Sequence, residues 1–153
     1  MAKYQGLAKD VIWKLKFSGA RAAAKDMARA MAPLVITSEN MIIVHAPTAT
    51  SRIRTRGYDQ ARLLACEIAR QTKCAYVPAL VRLDQKRQVG ASRTERFEHL
   101  SNAFRLTGRV NVVGAHILLV DDVLTTGATL EAAAVILKKA GAKRVDAVVF
   151  ARA

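Results

Sequence analysis

Residues 116–129, HILLVDDVLTTGAT, hold the side chains of this chain best suited to chemistry. A run of apolar residues reads as a strand buried on both faces, and it delivers two adjacent carboxylates, Asp121 and Asp122. Behind them Thr125-Thr126-Gly127-Ala128-Thr129 opens directly into a helix. In open α/β sheets ligands bind outside the carboxyl ends of the strands, which is where these residues fall. Gly127 lets the backbone approach a ligand closely, the first free N–H groups of the helix point outward, and Thr125, Thr126 and Thr129 add hydroxyl donors, so the loop has the parts of a phosphate cradle. The two acids would repel a phosphate; paired carboxylates suit sugar hydroxyls or a cation. A phosphate beside a diol describes a ribose 5-phosphate. A Thr-rich helix cap would use the same loop residues, but a cap does not require two acids ahead of it.

The elements that must position these residues follow from hydrophobic period. Leu7, Val11 and Leu15, with Ala8 and Ile12, predict one amphipathic helix over 5–17, and Met27, Ala30 and Met31 predict a second over about 20–32, stopped by Pro33. Met41-Ile42-Ile43-Val44 predicts a buried strand, followed by Pro47 and a Thr/Ser/Arg loop to about residue 56. A helix over 58–71 turns Leu63, Leu64 and Ile68 inward, and a strand near 74–82 is blurred by Pro78. Residues 84–99 are predominantly polar and charged and predict a long exposed loop, a length that in a compact domain is usually functional or disordered. A short strand over 103–107, the strand beginning at His116, a helix over 127–140 ending on Lys138-Lys139-Ala140-Gly141, and a last strand over 144–150 complete the pattern. Strands alternating with helices predict a parallel α/β sheet with right-handed crossovers.

Residues 117–129, four apolar residues, two acids and then Thr-Thr-Gly-x-Thr, resemble the phosphoribosyl pyrophosphate signature of type I phosphoribosyltransferases. Further segments resemble the ComF-like branch of that family: Arg52-Ile53-Arg54-Thr55-Arg56-Gly57-Tyr58-Asp59-Gln60 is similar to its RGFNQ box, Gln88-Val89-Gly90-Ala91-Ser92-Arg93 with Glu95-Arg96 and Ala103-Phe104 to its next box, and Leu15-Lys16-Phe17-Ser18-Gly19 to its LKF-x-G element. The resemblance covers most of the chain. It departs where Tyr58 and Asp59 replace Phe and Asn, at His45 and His99, and in lacking the cysteine-rich zinc ribbon that precedes this domain in many ComF-like proteins.

The resemblance implies an α/β type I phosphoribosyltransferase fold, a twisted mostly parallel sheet flanked by helices, as a single domain over 1–153 with a small N-terminal helical hood over 1–36 and the core over 41–153. It implies that Asp121 and Asp122 hold the ribose 2- and 3-hydroxyls and that 125–129 wrap the 5-phosphate. The loop after the first core strand would carry the pyrophosphate, with Ala46, Pro47 and Thr48 at the site, the stretch from Ala46 to Thr50 offering backbone N–H groups, and Arg52, Arg54 or Arg56 forked charged hydrogen bonds. Gly57 could equally supply a turn, and Arg56 a salt bridge to Asp59 or Glu67. Arg87, Gln88 and Arg93 on the 84–99 loop could close over the site and offset charge on the leaving group. The reaction implied is displacement of pyrophosphate at ribose C1 by a nitrogenous acceptor, with Mg²⁺ carried by phosphoribosyl pyrophosphate and no metal ligand assigned to the protein. A homodimer is compatible with the resemblance. His116 reads as structural; His45 is placed to meet phosphate or move a proton. Cys66 reads as a small core residue, and Trp13 as a packing or hood residue.

Composition sets the outer bounds. The 153 residues fit one domain, and 52% hydrophobic with 24% charged is ordinary globular material. Two cysteines exclude a disulfide framework and a four-cysteine zinc site. Lone thiols, a start without a secretory pattern and no apolar run near the ~20 residues of a membrane helix predict a cytoplasmic protein that does not enter the membrane. The net charge of +13 predicts attraction to anionic partners. A second reading, carried by the ComF resemblance, is a non-catalytic module for single-stranded DNA or competence proteins in natural transformation. Aromatics interleaved with basic residues would favour it, and Tyr58 and Phe97 are the best-placed candidates.

Overall fold

The computed structural model describes residues 2–3, 5–17, 20–83, 103–108 and 110–153. Its frame is a five-stranded, wholly parallel sheet of β1 (Ala2–Lys3), β2 (Met41–His45), β3 (Ala75–Tyr76), β6 (His116–Leu124) and β7 (Arg144–Arg152), in the order β1-β7-β6-β2-β3. β4 (Leu80–Arg82) and β5 (Phe104–Leu106) form a separate antiparallel pair. The expected strand over 74–82 is therefore two strands in two sheets, with Pro78, which has no N–H to give a ladder, between them.

Alternation along the strands divides the core. Ile43, Leu118 and Val120 pack with helices α1 (Leu7–Phe17), α2 (Ala20–Met31) and α4 (Gln60–Thr72), while Val44, Ile117 and Leu119 pack with α5 (Ala128–Lys139) and the β4–β5 pair. The two N-terminal helices thus share a core with the sheet. Their inward faces differ in detail from the expectation: Ile12 and Leu15 are fully buried but Leu7 is 84% exposed, and α2 turns Ala23, Ala24, Met27, Ala28 and Met31 inward, leaving Ala30 outside. The stretch read as a loop to residue 56 contains a helix, α3 (Thr50–Arg56). Its polar Thr-Ser-Arg composition hides the helical period because nothing on α3 is buried. Gly57, at φ 81°, closes α3 by giving its N–H to Ile53, as its turn reading anticipated.

The order of strands sets the ligand end. From β2 the chain passes through α4, on one face, to β3; from the neighbouring β6 it passes through α5, on the other face, to β7. The carboxyl ends of β2 and β6 therefore flank the point at which the winding reverses, the crevice where open parallel sheets bind ligands.

Candidate functional site

Two loops meet at that crevice. His45 pairs with Val120 in register, and the Ala46 N–H continues the ladder onto the Val120 carbonyl at 3.0 Å, so the segment after β2 is tied alongside the acids near the carboxyl end of β6. Asp121 is half-buried and Asp122 buried. The Asp121 carboxylate accepts the Asp122 N–H at 2.8 Å. Burial first, and then the adjacent Asp122 charge, hold the Asp121 carboxyl well above the usual carboxylate range. An acid pair poised in this way can give and accept hydrogen bonds at once, which matches a sugar diol.

The loop behind the acids has the geometry of an anion cradle. Thr125 and Thr126 are exposed; Gly127 sits at φ 83°, a left-handed conformation that costs other L-residues about 1–2 kcal/mol. Gly127 caps α5 with no side chain, and its carbonyl takes the Glu131 N–H at 2.9 Å. The amides of the first turn, where Ala128 and Thr129 lie half-buried, are aimed at the crevice end, with only a long 3.4 Å contact from Ala128 N–H to the Thr126 hydroxyl.

The second loop is built differently from its expected role. Ala46, Pro47 and Thr48 are all buried; the Ala46 N–H is spent on Val120 and Pro47 has none. Asp59 takes the Thr48 N–H at 2.9 Å and its hydroxyl at 3.1 Å, and also caps α4 through the N–H groups of Ala61 and Arg62 at 3.0 and 3.2 Å. The amides of Ala46 and Thr48 therefore hold the loop in shape, a correction to the expectation that they face a ligand. Asp59, met in the sequence as a replacement for Asn and as a candidate partner of Arg56, is the residue that organises this loop. His45 is enclosed in the same network, 2.9 Å from the Tyr76 hydroxyl through Nδ1 and 3.8 Å from Asp59 through Nε2. Burial holds its pKa below the ordinary imidazole value despite Asp59. A neutral, walled-in imidazole is a poor phosphate ligand, which corrects the reading of His45.

The third wall is the end of α1. Lys16 Nζ lies 2.8 Å from Asp122 Oδ2, with the carboxylate side chain only 8% exposed. The Tyr58 hydroxyl donates to the Leu15 carbonyl at 2.7 Å, and the Arg56 guanidinium lies 5.3 Å from the centre of the Phe17 ring. Arg56 thus reaches α1, in place of the expected salt bridge to Asp59 or Glu67; Glu67 pairs with Arg70 at 3.0 Å. Arg52 and Arg54 are exposed on α3. Lys16 was present in the LKF-x-G resemblance without a role, because no spacing rule links it to an acid so distant in sequence. Cys66 is exposed on α4, contrary to its core reading. Arg87, Gln88 and Arg93, with Phe97 and His99, lie outside the described residues. Among the described residues no three His, Cys, Asp or Glu side chains group to hold a metal ion, and none of the helices is long and apolar enough to cross a membrane. Asp122 of the acid pair has Lys16 as its counter-charge.

The phosphoribosyl transferase domain family matches residues 58–153, the half of the chain that carries the acid pair and the cradle. The chain belongs to that family. It is 31% identical over 145 residues to competence protein ComFC of Bacillus subtilis, covering 90% of this chain and 56% of the relative, and 30% identical over 150 residues to the DNA utilization protein YhgH of Salmonella typhi, covering 89% and 63%. The chain therefore spans less than two thirds of the length of these relatives. Among solved structures it is similar to the glutamine phosphoribosylpyrophosphate amidotransferase of B. subtilis (18% identity, TM-score 0.61, 85% of this chain and 26% of that one). It is also similar to a purine phosphoribosyltransferase of Pyrococcus horikoshii (18%, 0.51, 89% and 75%). At that identity the likeness establishes the type I phosphoribosyltransferase fold.

Proposed function

We propose that the crevice binds phosphoribosyl pyrophosphate together with Mg²⁺ and that the chain transfers the phosphoribosyl group to a nitrogenous acceptor, releasing pyrophosphate. The observation that carries this reading is one juxtaposition: two adjacent acids near the carboxyl end of β6, Asp122 buried and Asp121 half-buried, and the open N-terminus of the helix that follows, at the winding reversal of the sheet. The amides of α5 and the hydroxyls of Thr125, Thr126 and Thr129 take the 5-phosphate; Asp121 and Asp122 take the 2- and 3-hydroxyls. On this reading Arg52 and Arg56 meet the pyrophosphate with charged hydrogen bonds. The magnesium ion arrives with the diphosphate as part of the substrate. Displacement at C1 builds positive charge on the ribose, so fixed contacts at both ends of the sugar lower the barrier chiefly by positioning. Titration calorimetry with Mg²⁺ and phosphoribosyl pyrophosphate tests the binding step: one saturable site per chain is expected, and no heat of binding would remove the proposal.

A second reading, a non-catalytic ligand-binding module acting on single-stranded DNA, is favoured by one surface. Trp13 and Phe17 are 57% and 59% exposed, their rings 5.6 Å apart, beside exposed Lys9 and Lys14 and the Arg56 guanidinium. This aromatic and basic patch stands where Tyr58, now seen to be bonded to Leu15, was expected. The names of the competence and DNA utilization relatives agree with it. Tight oligonucleotide binding that survives saturating phosphoribosyl pyrophosphate, with a log–log salt slope of about three or more, would favour this reading.

A further inference from the structure

The end of α1 holds a charge exactly where the proposed ligand needs a free carboxylate. Lys16 Nζ and Asp122 Oδ2 are 2.8 Å apart, the lysine side chain is only 21% exposed, and α1 brings it from the face of the sheet opposite α5. Two further contacts pin this turn of helix to the end of α3 and the segment after it: Arg56 against Phe17, and the Tyr58 hydroxyl on the Leu15 carbonyl. Lys16 is therefore held near the acid pair by its neighbours on both sides, and losing its bond to Asp122 would not free it to leave.

A ribose 5-phosphate that settles its hydroxyls on Asp121 and Asp122 must displace the ammonium group. The displaced charge then lies partly desolvated and needs an anion. The 5-phosphate cannot serve, because it sits at the other end of the sugar, on the α5 N-terminus. The 2-hydroxyl, however, is bonded to the carbon next to C1, so a group displaced from the diol carboxylate is beside whatever C1 carries. We infer that Lys16 is a specificity-determining residue that exchanges Asp122 for the anionic substituent at C1, so that the site accepts phosphorylated ribose carrying a diphosphate at C1 and disfavours ribose 5-phosphate. The inference rests on the phosphoribosyl pyrophosphate reading and adds to it a selection step. Ribose 5-phosphate breaks the ion pair and leaves the lysine unpaired; the diphosphate breaks it and restores a partner.

The test uses the full chain, with phosphoribosyl pyrophosphate, ribose 5-phosphate and inorganic pyrophosphate titrated separately in the presence of Mg²⁺. Trp13 lies one helical turn before Lys16 and is the only tryptophan, so its emission reports movement of this turn. In Lys16→Met we expect affinity for phosphoribosyl pyrophosphate to fall about tenfold or more and that for ribose 5-phosphate to rise several-fold, collapsing the ratio between them. Lys16→Arg keeps the charge and should restore most of the ratio, which guards against a folding defect in the methionine variant. Saturation with phosphoribosyl pyrophosphate should change Trp13 emission in the unsubstituted protein. Equal changes for the two sugar phosphates in Lys16→Met, or an unchanged ratio, would overturn the inference while leaving the binding reading in place. Absence of phosphoribosyl pyrophosphate binding in the unsubstituted protein would overturn both.

Discussion

Strand β6 starts and ends on a charged cluster, and the two clusters obey opposite rules. At its start His116 donates or accepts on both ring nitrogens, to the Ser38 hydroxyl through Nδ1 and to Asp146 Oδ2 at 2.8 Å through Nε2, and Arg144 Nε meets the same oxygen at 2.8 Å. Burial alone would raise the Asp146 carboxyl, but hydrogen bonds from His116 and Arg144 and their charges hold it below its ordinary value. At the end of the strand Asp121 is pushed the other way, toward its protonated form, and Asp122 depends on one lysine brought in from α1. The amino end ties adjacent strands together with every group provided for. The carboxyl end keeps the Asp121 carboxyl in a state that costs stability, as groups gathered for a ligand often are. The Ser-His-Asp series at the amino end thus serves as a clasp between β7, β6 and the turn leading into β2.

The comparison is broken most severely by Gly127→Val. A branched residue at φ 83° is strained and has its Cβ 3.6 Å from the Leu124 side chain, so the loop must shift and carry with it the first-turn amides that the phosphate would use. Affinity for phosphoribosyl pyrophosphate should fall at least about a hundredfold, with a small loss in thermal stability. Calorimetry alongside thermal denaturation separates the two effects.

At the amino end the effects should be reversed in kind. His116→Ala removes two side-chain partners and should cost about 1–2 kcal/mol of stability, while ligand affinity stays within about twofold. The Asp146 contribution has a defined pH window. Because its folded pKa is depressed, its stabilisation is present above the ordinary carboxylate value of about 3.9 and disappears as pH falls through the folded value. Urea denaturation of the His116→Ala and unsubstituted proteins at pH 7 and pH 3 should therefore show the gap narrowing in acid.

The smallest effect has the opposite sign. Asp121 has a raised folded pKa, so the folded chain retains a proton that the unfolded chain has released, and stability declines as pH rises above about 3.9. Asp121→Asn removes that decline while keeping an oxygen for the Asp122 N–H. The variant should melt higher than the unsubstituted protein at pH 7, by about 2–4 °C for each kcal/mol relieved, and at the same temperature near pH 3. A lower melting temperature at pH 7 would mean that the Asp121 charge is stabilised, and the contrast between the two ends of β6 would fail.

The parallel core was legible in the sequence because its signals are local. Buried β-branched runs at 41–44 and 116–120, helix 60–72 and the Gly-terminated helix 128–139 each carry their own period or stop. The acids and the Thr/Gly loop were equally legible, since one strand and its following helix contain them all. What escaped came from contacts between distant segments. β1, only two residues long, is a strand because β7 pairs with it. Lys16 gains meaning only when α1 is laid across the end of β6, and Asp59 only when its one carboxylate serves both a helix start and Thr48. The exposed α3 escaped because it buries no residue and so leaves no hydrophobic period to read.

The central claim is that the two acids read the sugar and the glycine loop reads the phosphate. Its most direct test is titration calorimetry of the Asp121→Asn, Asp122→Asn double variant against phosphoribosyl pyrophosphate with Mg²⁺, and separately against inorganic phosphate. The account predicts that affinity for phosphoribosyl pyrophosphate falls by about two orders of magnitude while that for inorganic phosphate changes by less than about threefold. Equal losses for both ligands would contradict it, because the acids would then act through general electrostatics or stability and the ribose diol would have no place at the end of β6.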